Sequence, residues 1–155
     1  PAHRYGVIAG HASTFDPPPG SGRPPNLTRA IRLALDDAGV RPAQVDVVFA
    51  DGAGVPERDR SEAASIAEVF GPGNVPVTVP KAGVGRLLAG AGPLDVVTAL
   101  LSMRDGVIPP TPHSREIPDE YALDMVTEPR ETKVDVALVI ARGRGGFNSA
   151  VVIRR

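Results

Sequence analysis

The chain has 155 residues, the size of one ordinary domain, and 42% of them are hydrophobic, enough to bury a core. Its 17 Lys and Arg against 18 Asp and Glu leave a net charge of −1, which argues against a basic nucleic-acid or membrane-surface binder. The absence of cysteine excludes a disulfide, a thiolate metal site and a cysteine nucleophile within this chain. Aromatic residues amount to 4% and Trp is absent, so the core must be built from Val, Ala, Leu and Ile. Gly and Pro, 17 each, cluster at segment boundaries and therefore read as punctuation, not as a disordered tract. No apolar run reaches membrane-spanning length, and Pro1-Ala2-His3-Arg4 has no apolar signal region behind it. A soluble, cytoplasmic protein is expected, and a start on Pro1 instead of Met suggests a segment upstream.

Residues 5–15 are mostly apolar or small and read as a buried strand, followed by a loop over 16–25 whose five prolines forbid regular structure. Asn26 is an expected N-cap. Leu27, Ala30, Ile31, Ala34, Leu35 and Ala38 then recur at helical spacing, and Gly39 stops the helix. A short strand is expected over 45–50 and a second helix over 59–70, with Ala63, Ile66, Ala67 and Phe70 on one face. A third strand follows over 75–79. Glycine-rich 82–92 leads to a third helix over 93–104, where Pro93 suits the first turn. Residues 105–132 read as irregular, and 134–141 and 150–153 as two closing strands about a glycine turn at 143–146. Strands alternating with helices imply an α/β fold: a mixed, mostly parallel sheet of five strands with helices on both faces and one antiparallel edge from the final hairpin. No internal repeat or linker divides the chain, so 1–155 is expected to be one domain.

Glycine clusters are poor nucleotide-site candidates here. Gly83-Val84-Gly85 lacks the third small residue, since position 88 is Leu88, and Gly143-Arg144-Gly145-Gly146 precedes a strand instead of a helix. His3, His11 and His113 are too scattered for a metal site, and no nucleophile elbow is present, so neither metal nor cofactor is expected. What remains is a polar set on loops at strand ends: Asp51, Asp59 and Glu62, Lys81 and Arg86. On their own, these residues read as helix-end charges and a solvated loop.

The same positions carry a likeness to a known family. The runs Val45-Asp46-Val47-Val48-Phe49-Ala50-Asp51-Gly52-Ala53-Gly54, Gly85-Arg86-Leu87, Gly106-Val107-Ile108-Pro109-Pro110-Thr111 and Gly145-Gly146-Phe147-Asn148-Ser149-Ala150, with Asp59, Glu62 and the segment ending at Lys81, resemble the C-terminal half of a β-ketoacyl synthase. Within that superfamily the chain is most similar to the chain-length factor, or ketosynthase β subunit, of type II aromatic polyketide synthases. The resemblance implies one βαβαβαββ half of the thiolase-like fold, the N-terminal half being absent from this chain, with Gly145, Gly146 and Phe147 as a structural turn. An active ketosynthase would carry histidines where Asp51 and Arg86 stand, while the family lysine is kept as Lys81. Imidazoles stabilise the developing enolate in decarboxylative condensation, and neither an aspartate nor a guanidinium substitutes for them.

The resemblance thus implies a non-catalytic subunit with vestigial active-site positions at Asp51, Asp59, Glu62, Lys81 and Arg86. Its implied partners are a catalytic ketosynthase, the N-terminal half of its own fold or a self-associated copy, and an acyl carrier protein; nucleic acid and membrane are not among them. Two charge pairs are expected on physical grounds, Asp51 with Arg86 and Lys81 with Glu62, because unpaired buried charges are costly. The third helix, with Leu94, Val97, Ala99, Leu100 and Leu101, is expected to be buried on more than one side. The alternatives are a free-standing half-fold that binds or regulates a ketosynthase or carrier protein, and residual malonyl decarboxylation through Lys81.

Overall fold

The computed structural model describes residues 4–18, 20–85, 87–114 and 117–155. Three strands alternate with three helices: β1 (Val7–Phe15), α1 (Leu27–Ala38), β2 (Val47–Phe49), α2 (Pro56–Phe70), β3 (Pro76–Thr78) and α3 (Ala91–Asp105). Three two-residue strands, β4 (Val107–Ile108), β5 (Asp124–Met125) and β6 (Arg130–Glu131), punctuate the segment expected to be irregular, and β7 (Val136–Arg142) and β8 (Phe147–Arg154) close the chain. Gly39 ends α1 as expected. It sits at φ 62°, donating to the Asp36 carbonyl, while the next amide, Val40, donates to Leu35, so a paired left-handed cap satisfies the last carbonyls. Asn26 precedes α1 but does not cap it with its side chain; Nδ2 instead donates 2.6 Å to the Phe15 carbonyl, tying the proline loop to the end of β1. Helix α2 begins three residues before the expected Asp59, because Pro56 at its first position has no N–H to leave unsatisfied.

The main sheet has the order β1-β8-β7-β2-β3-β5, while β4 and β6 pair separately. Strand β8 is antiparallel to both its neighbours, β1 and β7; the remaining pairings are parallel. Five strands therefore run one way and β8 alone runs against them. The sequence placed that strand at an edge of a five-stranded sheet. It lies inside, and short β5 adds a sixth strand beyond β3. The reason is burial on both faces: Ala150 and Val152 point one way, Ile153 the other, and all three are buried. An edge position would leave them less covered.

The core has two layers, one on each face. Leu27, Ala30, Ile31, Ala34 and Leu35 of α1, with Ile66 of α2, pack on Val48, Leu138, Ile140, Ala150 and Val152. Ala99 and Met103 of α3 pack on Val47, Phe49, Ala137, Val139 and Ile153. The alternation along β2 and β7 is the period of two expected for a sheet covered on both sides. Cover on the α3 side is incomplete. Val97 is 53% exposed and Leu101 38%, so α3 presents an apolar side away from the sheet. On the same face of β1, Ile8 and Phe15 are open, with Phe15 meeting only the edge of the Phe147 ring, 5.5 Å between centroids.

Helix α1 lies unusually close to β1. A Cβ built on Gly10 would fall 2.4 Å from the Ala38 amide nitrogen and 2.6 Å from the Ala34 carbonyl oxygen. Backbone cannot rotate away as a side chain can. Gly10→Ala is therefore expected to lower stability by about 3 kcal/mol, the upper end of overpacking costs, read as a fall in the urea midpoint.

Candidate functional site

The five co-directional strands deliver their following loops to one edge of the sheet, where sites in open α/β sheets lie. Asp51 follows β2 and is buried. Its backbone N–H donates to Glu62 Oε1 at 2.8 Å, and the Gly52 N–H donates to Oε2 at 2.9 Å. One buried carboxyl on α2 thus holds the loop after β2 by two adjacent amides. Asp51 Oδ1 in turn accepts from the Arg142 backbone N–H at 3.2 Å, joining that loop to the end of β7.

Lys81, after β3, is also buried, but its partner differs from the one expected. Nζ donates to the Ala50 carbonyl at 2.7 Å and makes close contact with the Asp95 carboxylate of α3. The anticipated Lys81–Glu62 pair is not formed, because Glu62 is committed to the two loop amides and Asp95, fully buried in an otherwise apolar helix, needs a counter-charge. Asp51, Asp59 and Glu62 are brought together with Lys81, as expected. Arg86, and with it the Asp51–Arg86 pair, lies outside the described residues.

Four residues that the sequence did not single out complete the constellation: Asp95, Asp16, Arg142 and Asn148. The Arg142 side chain is 8% exposed; Nη1 donates to the Arg58 carbonyl at 2.9 Å and Nε to Asn148 Oδ1 at 3.2 Å, with Asp16 Oδ2 3.7 Å from Nη2. Asn148 Nδ2 donates to Asp16 Oδ1 at 2.8 Å and to the Gly146 carbonyl at 3.2 Å. Gly145 and Gly146 take positive φ in the turn before Phe147, and a Cβ on Gly146 would come 2.9 Å from that of Asp16. A usable signal existed for Asp95 alone: an acid inside Leu94-Asp95-Val96-Val97 is either buried with a partner or misplaced.

Burial pushes the carboxyls of Asp59, Glu62 and Asp95 above their ordinary values, and the charge of Asp51 adds to this in each. Backbone amides at 53–55 pull Asp59 back, those of Gly52 and Asp51 pull Glu62 back, and Lys81 pulls Asp95 back. For an acid raised on folding, the native state binds the proton more tightly than the unfolded chain does. Its contribution to stability is full below the unfolded value, near 4.5 for Glu62, and is lost as pH rises through the raised one. Glu62→Gln is expected to cost about 1–3 kcal/mol, since one loop amide then faces an NH2 group, and also to flatten the decline in stability above pH 5. Urea midpoints at pH 5 and pH 8 for both proteins measure both effects.

The chemistry of this edge is that of a scaffold. It holds carboxylates, a lysine already committed to two acceptors, and a buried guanidinium. His11 projects from the outer strand with 75% of its side chain exposed, and His113 is exposed in a loop. Among the described residues no group of three His, Cys, Asp or Glu is arranged to hold a metal ion, and no helix is long and apolar enough to cross a membrane.

Comparison with known proteins accounts for this geometry. The profile of the β-ketoacyl synthase C-terminal domain matches residues 5–115. The chain is 65% identical over 152 residues to the actinorhodin polyketide β-ketoacyl synthase 2 of Streptomyces coelicolor, covering 97% of this chain and 37% of that protein. It is 62% identical over 152 residues to the tetracenomycin polyketide synthase ketoacyl synthase β subunit of Streptomyces glaucescens, with the same coverage. Among solved structures, the ishigamide ketosynthase/chain length factor superposes with a TM-score of 0.90 at 29% identity, over 99% of this chain and 38% of that one. A type II polyketide synthase acyl carrier protein in complex with its ketosynthase gives 0.88 at 26% identity, over 99% and 39%. The chain thus spans a little over a third of the length of the relatives it matches. Sheet order, matched profile and relatives agree: this chain belongs to the β-ketoacyl synthase family, in which it corresponds to the C-terminal domain of the ketosynthase β subunits.

Proposed function

We propose that this chain is the C-terminal domain of a non-catalytic chain-length factor, a cytoplasmic subunit that pairs with a catalytic ketosynthase during polyketide elongation from malonyl-acyl carrier protein. The observation that carries this reading is Asp51. It stands where a condensing enzyme of the family would have an imidazole, and its carboxylate accepts the Arg142 amide beside the Glu62 anchor. A carboxylate there would oppose, not stabilise, an enolate oxyanion. Lys81 offers no free base in compensation, since it is held by Ala50 and Asp95. That arrangement disfavours residual decarboxylation as a primary role.

The apolar side of α3, together with Ile8 and Phe15 on the same face of the sheet, suits the N-terminal half of the same subunit, whose packing there would make α3 part of a shared central layer. Vestigial status is proposed for Asp51, Asp59, Glu62, Lys81 and Arg86, and a structural role for the Gly145-Gly146-Phe147 turn. The test is co-expression of the full-length subunit with an affinity-tagged ketosynthase from the same biosynthetic system. Stoichiometric recovery of the two is expected. A ketosynthase recovered alone, with the subunit folded in the unbound fraction, overturns the pairing.

A further inference from the structure

The polar groups around Arg142 join segments that no backbone pairing connects at this end of the sheet. Its guanidinium reaches the first turn of α2 through the Arg58 carbonyl and the start of β8 through Asn148, and lies beside Asp16 after β1. Its own amide is held by Asp51 after β2. The links are reinforced from the other side. Arg58 Nη2 donates to the Gly143 carbonyl at 3.5 Å, Asp16 N–H to the Gly146 carbonyl at 2.8 Å, and Asn26 N–H to Asp16 Oδ1 at 2.6 Å. Arg142 also supplies positive charge to the Glu62 carboxylate that anchors the loop after β2. A planar guanidinium with diverging donors fits this use, because it satisfies acceptors on different elements in one fixed geometry, which an ammonium on a flexible stem does not.

We propose that Arg142 is a positioning residue. It fastens the loops at 16, 51–54, 58 and 143–147 into one rigid rim, and through that rim it holds the length of the product made by the elongation complex. The second part rests on the reading of the chain as a ketosynthase partner; the first does not. A rim with one fixed shape presents a single wall to a growing chain, whereas independently moving loops present several.

The experiment uses the full-length subunit with its ketosynthase, comparing wild type, Arg142→Met, Arg142→Lys and the control Arg60→Met, which removes only the exposed pair with Glu120. Amide hydrogen exchange, recovery of the complex and the spread of product lengths are measured on each. Arg142→Met is expected to raise exchange at least tenfold at 51–54 and at 143–147 together and to increase the off-length product severalfold, with the ketosynthase still bound. Arg142→Lys, the milder variant should the methionine protein fail to fold, is expected to reproduce both effects at lower amplitude, and Arg60→Met neither. Faster exchange confined to 143–147 overturns the rim. Coupled loosening with an unchanged product spread overturns the role in product length. If wild-type subunit fails to bind ketosynthase, the functional reading falls, while the exchange data still decide the rim.

Discussion

Lys81→Met is expected to destabilise the protein by about 3–5 kcal/mol, the range for removing one member of a buried ion pair. The Lys81 and Asp95 side chains are 7% and 0% exposed, so the carboxylate left behind has no access to water, and the Ala50 carbonyl loses its donor as well. The loss is expected to be pH-dependent with a definite sign. Burial already raises the Asp95 carboxyl, and without Lys81 opposing it the group is raised further. A raised acid contributes fully below its unfolded value and loses that contribution as pH rises, so the variant recovers stability on acidification from pH 7 towards 5. Adding Asp95→Leu removes the orphaned charge and is expected to restore most of the loss at neutral pH. Urea unfolding of the two single variants and the double variant forms the cycle that separates the pair from its members. A Lys81→Met protein as stable as wild type at pH 7 contradicts the contact.

The double variant Val97→Glu/Leu101→Glu is expected to behave oppositely in two settings. In the 155-residue chain alone both side chains stand at the surface, so the unfolding midpoint should move little, within about 0.5 kcal/mol per site. In the full-length subunit the same positions would face the N-terminal half, where two unpaired carboxylates cost several kcal/mol and deplete the soluble protein. Equal, small effects in both settings would show that α3 keeps this side in solvent throughout. That comparison tests the proposed central layer directly.

Much of this architecture is legible in the residue pattern. Apolar spacing from Leu27 to Ala38 and the stop at Gly39 define α1, because a helix end needs a left-handed residue and glycine adopts that conformation freely. The insertion of β8 inside the sheet was not legible. Periodicity reports which faces of a strand are buried, not which strands flank it. At the site, the loops were placed correctly and their connections were not. Charge alone paired Lys81 with Glu62, yet Glu62 serves two backbone amides and Asp95 serves the lysine. Backbone groups carry no sequence signature, so an acid used to hold a loop cannot be told from an acid used to neutralise a cation. Arg142 escaped notice for the same reason, since three of its links run to a carbonyl, an amide side chain and its own N–H.

The measurement that bears most directly on the central claim is elongation from labelled malonyl-acyl carrier protein, with the full-length subunit supplied alone, with ketosynthase, or withheld. The subunit alone is expected to form no carbon–carbon bond, while ketosynthase and subunit together yield polyketide of a defined length. Extension of an acyl thioester by the purified subunit, with no ketosynthase present, would contradict a site in which Asp51, Lys81 and Arg142 are held as scaffold.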